Sequence, residues 1–376
     1  MAKDFIPSTH PLTPPLTEEE WLHWLRLLRS RRVGISTFFR LLGEHRTAEA
    51  ALAALPGIAA DAGISDYEPA SCDEVLREWE SAGLAGVTPI AFGSTEYPKA
   101  LADIPDPPPI LWALGNTDLL QSPTLSIVGA RNASSLGTRT ARKLATDLGA
   151  EDFTISSGLA RGIDTVAHIA SLETGTIAVM AGGCDVVYPS ENAVLAQEIQ
   201  EKGLRISEMP IHQRPHARHF PRRNRLVSGL AQATIVVEAA AKSGSLITAT
   251  CALEQGREVM AVPGHPFDAR ASGCNNLIRD GAVLIRSAKD VIEALERPTQ
   301  KSRKPQPSPL SQPAIPPDVS ALHAQILNRI GASPVPEDDV IRDLNIAAQT
   351  LLPEIAALEI SGEITRDAGG LLRRKS

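Results

Sequence analysis

Aromatic side chains are scarce, at 4% of 376 residues. The scarcity argues against the stacked-ring platforms of oligonucleotide-binding barrels and RNA-recognition sheets, leaving Phe220 and Tyr188 as rings able to take a base. No apolar run approaches the ~20 residues of a membrane-crossing helix. The N-terminus, with Met1, Lys3, Asp4 and Phe5 followed by prolines, lacks a secretory leader's charged-then-apolar pattern, so the cytoplasm is the expected compartment. Cys72, Cys184, Cys251 and Cys274 are too far apart for a C-x-x-C clip, which argues against a zinc site or a disulfide framework and leaves buried structural thiols. A net charge of -7 argues against a general polyanion binder, because non-specific affinity for nucleic acid comes from accumulated positive charge. One absence points the other way. The run 209–237 contains no carboxylate yet holds Arg214, Arg218, Arg222, Arg223 and Arg225, a local docking place for anions inside an acidic chain.

The punctuation divides the chain into a disordered tail (1–16), a helical domain (17–69), a connector packed on the core (70–122), a Rossmann-like domain (123–296), a Pro-rich linker (297–318) and a winged-helix domain (319–376). Thr17 followed by Glu18, Glu19 and Glu20 is a helix N-cap with acids in the first turn. Pro98, Pro105, Pro107, Pro108 and Pro109 predict an extended, non-helical connector. Short apolar runs at 125–128, 153–156, 177–180, 204–207, 235–237, 259–262 and 282–285 alternate with helix-length stretches. Near-continuous hydrophobicity in such short strands predicts a parallel sheet covered on both faces, a doubly wound α/β fold. Beyond the linker, three helical patterns (321–330, 338–344, 347–358) and two short runs flanking Gly369-Gly370 predict a winged helix. Its candidate recognition helix holds Glu354 and no Lys or Arg, so duplex readout is not expected. The basic residues Arg366, Arg373, Arg374 and Lys375 fall in the wing and tail.

A doubly wound sheet binds ligands in the crevice beyond the carboxyl ends of its strands. The first crevice loop is Gly129-Ala130-Arg131-Asn132. A dinucleotide fingerprint would put glycine where Arg131 and Ser134 stand, so NAD is disfavoured, and no Gly-Lys-Ser/Thr triplet offers a phosphate loop. The residues in these loops suit an oxyanion met by N–H groups and guanidinium forks: Gly158, Arg161 and Gly162 in the second, the helix begun by Pro221 with Arg222 and Arg225 on one face, and Lys242-Ser243-Gly244-Ser245 at a helix start. Arg223, turned away from that face, is expected to pair with a carboxylate inside the fold. Asp164 reads more readily as a helix N-cap than as a catalytic base, and His168 as a satisfied helix-surface residue.

These residues have a recognisable arrangement. Tyr97-Pro98 with Asp106-Pro107-Pro108-Pro109, Gly129-Ala130-Arg131, Ser157 through Asp164, Phe220-Pro221-Arg222-Arg223-Asn224-Arg225, Ser243 through Ala249, Pro263-Gly264 and Gly273-Cys274-Asn275-Asn276-Leu277-Ile278 closely resemble the DNA-processing protein A (DprA/Smf) family, in order, over about residues 90 to 285. The resemblance implies a non-catalytic protein that binds single-stranded DNA, protects incoming strands in natural transformation and loads the RecA recombinase. It also implies a homodimer formed through the α/β domain. It implies no cofactor, and it places the DNA pocket on Gly129, Arg131, Gly158, Phe220, Arg222, Asn224, Ser243 and Gly244; Arg161 and Arg225 join that set from the charge pattern. Where some members carry a basic residue in the third crevice loop, this chain has Ser190 and Glu191. The core also distantly resembles nucleoside-monophosphate phosphoribohydrolases. That alternative, or a nucleotide sensor using the same crevice, is disfavoured for hydrolysis because the stretch from Ser243 to Ala249 lacks the acid such chemistry needs.

Overall fold

The structure, a computed structural model, describes residues 13–296, 319–330, 335–344, 346, 348–367 and 371–374, in two compact units, Met1–Pro298 and Thr299–Ser376. The linker expected at 297–318 and most of the expected tail lie outside the described residues, as does Lys375. Helix α1 (Glu18–Arg29) opens on a capping box: the Glu20 N–H donates to Thr17 Oγ1 (3.3 Å) and the Thr17 N–H to the Glu20 carboxylate (3.1 Å). Helices α2 (Ile35–His45) and α3 (Ala48–Asp61) follow, and Leu25, Phe38, Leu41 and Ala51 are fully buried between them. This core continues into Val75 and Trp112, so the helical domain shares its apolar interior with the edge of the central sheet.

The connector differs from the extended path expected of it. Helix α4 (Cys72–Leu84) precedes the prolines, with Asp73 and Glu74 in its first turn; β1 (Thr88–Ala91), the one-turn helix α5 (Lys99–Ala102) and β2 (Ile110–Gly115) fill the rest. The proline signal belonged to 98–109 alone. Pro109 delivers the chain into β2, whose Ile110 to Ala113 are buried.

The seven expected strands all form, with ends displaced by a residue or two. They are β3 (Thr124–Val128), β4 (Thr154–Ser157), β5 (Thr176–Val179), β6 (Leu204–Ser207), β7 (Ala233–Val236), β8 (Glu258–Ala261) and β9 (Val283–Leu284). All seven are parallel, in a sheet ordered β1-β2-β6-β5-β4-β3-β7-β8-β9, with β2 and β1 added antiparallel beyond β6. Helices α6 (Ser135–Ala150), α7 (Ile163–Ser171) and α12 (Ala288–Glu296) cover the face carrying Leu125, Ile127 and Ile155. The opposite face, with Val128, Ile177 and Val236, is covered by α9 (His219–Gly229), α10 (Ser245–Glu254) and α11 (Ser272–Arg279). Helix α8 (Ala193–Lys202) packs Leu195 and Ile199 on Ala178 and Met180. Burial on both faces is why β3 to β8 read as nearly unbroken apolar runs; β9, at the edge, is only partly covered.

Cys184 and Cys274 are buried, and burial pushes their thiols up to about 12 and about 11. Cys72 is exposed at the start of α4, against expectation.

The second unit comprises α13 (Val319–Arg329), β10 (Val335–Pro336), α14 (Glu337–Leu344), α15 (Ala348–Ile360), β11 (Ile364–Asp367) and β12 (Leu371–Arg374), with strands in the order β10-β12-β11. This is a winged helix, closed around Leu322, Ile326, Val340, Leu351, Ile355 and Leu372. Glu354 on α15 meets His323 Nε2 at 2.7 Å, so the acid of the candidate recognition helix is engaged with α13. No helix among the described residues is long and apolar enough to cross a membrane, and no His/Cys/Asp/Glu group among them is arranged to hold a metal.

Candidate nucleic-acid interface

The chain runs outward from β3 through β4, β5 and β6, then returns to the other side of β3 for β7, β8 and β9. The loops after β3 and β7 therefore part, which opens a crevice at the carboxyl edge of the sheet. A cleft of about 590 Å³ lies there, lined by Gly129 to Asn132, by Gly158, Ala160 and Asp164, by Phe220, Arg223 and Asn224 on α9, by Lys242 to Ser245, and by Arg270. A second pocket of about 340 Å³ shares Arg131, Gly158, Ala160 and Phe220 and adds Arg161, Tyr188, Ser190 and Glu191.

The glycines serve different ends. A Cβ on Gly158 would stand 2.0 Å from Arg223 Nη1, and one on Gly129 2.6 Å from Ile163 Cγ1, so both are glycine for internal packing. A Cβ on Gly244 would meet nothing within 4 Å, which leaves the backbone at the N-terminus of α10 open to the cleft. Ser243 Oγ meets Ser245 Oγ at 2.7 Å beside it. Asn224 Nδ2 donates to Gly244 O at 3.4 Å and links α9 to this loop.

Beneath the cleft floor, Arg223 is buried and donates through Nη1 to Val179 O at 2.5 Å; burial lowers its pKa to about 10. Asp164 lies in the first turn of α7 but is not its N-cap, which is Gly162. Its buried Oδ2 accepts from the N–H groups of Gly158 (3.2 Å) and Ala160 (3.4 Å), holding the second crevice loop. Burial raises the Asp164 pKa, and the Arg223 charge opposes the rise. Arg223 turns inward, but the expected ion pair is not formed among the described residues: its bond goes to the Val179 carbonyl, and Asp164 acts on it only through its charge. His168, expected on the helix surface, is fully buried instead, because α7 presses this face on the sheet. Its Nδ1 meets Thr176 Oγ1 at 2.7 Å, and burial lowers its pKa to about 3.

Two carboxylates escaped the sequence reading, and they bound the carboxylate-free run on either side. The Glu208 side chain is only 6% exposed, with Oε1 2.8 Å from Arg222 Nε and Oε2 bonded to Arg225 Nη2. Arg225 also reaches Asp106 Oδ2 at 3.1 Å. Glu238, likewise buried, accepts the Ser134 N–H at 2.9 Å, while Ser134 Oγ accepts from the Gly137 N–H at 2.9 Å. The N-terminus of α6, where a dinucleotide's phosphates would sit, thus already holds a protein carboxylate. Arg270 Nε lies 3.6 Å from Glu238 Oε1.

Arg131 and Lys242 are exposed and form no ion pair among the described residues. The Arg131 guanidinium lies 5.6 Å from the centroid of the Phe220 ring, which stands 5.6 Å from the Tyr188 ring. Of the cations lining the main cleft, Arg131 and Lys242 are thus the exposed ones without an ion pair among the described residues; Arg223 is buried, Arg270 lies 3.6 Å from Glu238 and 3.4 Å from Asp268, and Asp164 is the one acid in the lining.

A family model described as DNA recombination-mediator protein A matches residues 88–296, over half of the sequence. The chain belongs to this DNA-processing protein A family. Models of the DprA-like N-terminal HHH domain and the DprA winged helix domain match 18–81 and 308–370. DNA processing protein DprA of Bacillus subtilis is 45% identical over 213 residues, 56% of this chain and 72% of the relative. Protein Smf of Escherichia coli is 37% identical over 295 residues, 76% of each. The X-ray structure of DprA from Streptococcus pneumoniae superposes with a TM-score of 0.61 at 33% identity, covering 75% of this chain and 98% of that one. The Helicobacter pylori protein, whose structure describes a single-stranded DNA binding mode, gives a TM-score of 0.52 at 30% identity over 56% of this chain and 95% of its own.

Within this DprA framework, seven of the ten singled-out residues line the main cleft: Gly129, Arg131, Gly158, Phe220, Asn224, Ser243 and Gly244. Arg161 lines the second pocket, 3.7 Å from Glu191 Oε1. Arg222 and Arg225 line neither. They do share one face of α9, as their spacing predicts, but that face turns to Glu208, and the Arg225 side chain is only 10% exposed.

Proposed function

We propose that this DprA-family chain binds single-stranded DNA along the crevice, gripping the sugar-phosphate backbone without cutting it. The observation that supports this most is the Arg131 guanidinium, without an ion pair among the described residues, lying 5.6 Å from the Phe220 ring centroid beside the open N-terminus of α10. An exposed cation, an open helix start and a ring form a sequence-tolerant grip on an unpaired strand. Membership of the family and the Helicobacter pylori relative's single-stranded DNA binding mode support the same reading. Protection of incoming strands in transformation, transfer of the strand to the RecA recombinase and self-association through the α/β domain are proposed on family membership.

In the main cleft a hydrolase reading lacks a free acid: Asp164, the one carboxylate in its lining, is buried and occupied by two N–H groups, and Glu191 of the second pocket lies 3.7 Å from Arg161. Titration of a short unpaired oligonucleotide and its duplex, at several salt concentrations, tests the proposal. Tighter and steeply salt-dependent binding of the unpaired strand is the expected result. Preference for the duplex, or release of free base from nucleoside monophosphates, would overturn it.

A further inference from the structure

Among the described residues two of the Phe, Tyr and Trp rings fall in the exposed class, Tyr188 at 51% and Phe267 at 94%. Tyr188 lines the second pocket of the crevice, in the loop after β5. Phe267 belongs to the loop after β8, three residues before Arg270, which lines the main cleft. Both loops leave the carboxyl edge of the sheet. In the order β5-β4-β3-β7-β8 they are four strand spacings apart, about 19 Å, with Arg131 and the N-terminus of α10 between them.

The Phe267 loop is well anchored. Asn275 of α11 clamps its base, accepting the Gly264 N–H at 3.1 Å and donating to Gly264 O at 3.0 Å. Two turns close it, from the Asp268 N–H to His265 O and from the Ala271 N–H to Asp268 O, each at 2.9 Å. The Phe267 ring stands 5.6 Å from that of His265. A held loop thus presents an apolar ring almost wholly to water, outside both pockets but three residues from the cleft-lining Arg270, in a chain whose other described Phe, Tyr and Trp rings, Tyr188 apart, are buried or half-buried.

We infer that Phe267 is a stacking site for an unpaired nucleobase, so that the strand runs from the Tyr188 side of the crevice past α10 to the loop after β8. This rests on the single-stranded DNA reading and assigns that strand a second aromatic end. The test pairs Phe267→Ala and Phe267→Leu with oligothymidylates carrying one abasic unit at successive positions. With the unaltered chain, one abasic position distinct from any set by Phe220 and Tyr188 weakens binding about tenfold. Phe267→Ala weakens binding of the intact oligonucleotide by a similar factor and abolishes the penalty of that lesion, while the salt slope stays unchanged. Phe267→Leu, apolar but without a π face, behaves like the alanine variant. An abasic profile identical in parent and variants overturns the inference and leaves the crevice reading intact. No affinity of the unaltered chain for the unpaired strand removes both. A variant that changes molecular mass by light scattering but keeps the parental affinity assigns Phe267 to a contact between copies and also overturns the inference.

Discussion

The two sides of helix α9 hold guanidinium groups in opposite states. Facing the crevice, Arg131 lies over Phe220 with no carboxylate partner among the described residues, whereas on the other side Arg222 and Arg225 are met by Glu208 and Asp106. Both sides are arginine-rich in sequence, and only one keeps uncompensated charge. The difference shows that a carboxylate-free run says nothing about carboxylates folded against it: Glu208 is the residue immediately before the run, and Asp106 comes from the connector. A neutralised guanidinium serves the fold, and a free one is available to a polyanion.

The largest expected effect lies on the neutralised side. Glu208→Ala leaves the buried Arg225 with Asp106 alone and should cost about 3 kcal/mol, the low end for a broken buried pair, in urea unfolding. Arg131→Ala, at an exposed and unpaired position, should change stability by less than about 0.5 kcal/mol. Equal stability losses for the two variants would erase the distinction.

Acid distinguishes the buried floor from the open rim in another way. Burial holds the His168 pKa near 3, against an ordinary value of 6.5. A folded-state pKa lowered in this way contributes stability that is complete above pH 6.5 and drains as pH falls toward 3, by about 1.4 kcal/mol per pH unit. His168→Gln removes that proton uptake, so its stability should decline less steeply than the parent's between pH 6.5 and 4.5, above most carboxylate titrations. Parallel curves over that window would show that the imidazole takes up no proton on unfolding.

The fold was largely legible because β3 to β8 are buried on both faces and, with the edge strand β9, stand out as seven apolar runs. Strands β1 and β2 were missed: the prolines between them masked two short segments whose partners lie elsewhere in the sequence. At the crevice, loop residues such as Gly129, Arg131, Ser243 and Gly244 were legible because turn chemistry is local. Charge pairing is not local. Nothing near Arg225 in sequence signals Asp106, and the burial of His168 depends on how α7 meets the sheet.

Salt dependence sharpens the contrast between the arginines. If Arg131 contacts a phosphate, Arg131→Ala should weaken oligonucleotide binding and reduce the slope of log affinity against log salt by about one unit. Arg222 bears the same formal charge, but its Nε is bonded to Glu208, so Arg222→Ala should reduce the slope by less than half as much. Equal slope changes would mean that Arg222 leaves Glu208 when DNA binds, and the static division of the two sides would fail.

The smallest effect, and the most selective, concerns Gly244. Its backbone angles, φ -61 and ψ -22, are open to any residue, and an added Cβ meets no protein atom within 4 Å. Gly244→Ala should therefore stabilise the fold by about 0.5 kcal/mol, because alanine restricts the unfolded chain. If the strand's backbone approaches the α10 N-terminus closely, the same methyl obstructs it and affinity should fall about threefold, close to 0.7 kcal/mol. Stability and binding then move in opposite directions, a result that global damage to the fold does not produce. At Gly158, by contrast, the Arg223 guanidinium fills the space a Cβ would need, so Gly158→Ala should lose both together. Unchanged affinity in Gly244→Ala would show that the strand does not pass close to α10 and would leave Arg131 as the centre of the grip.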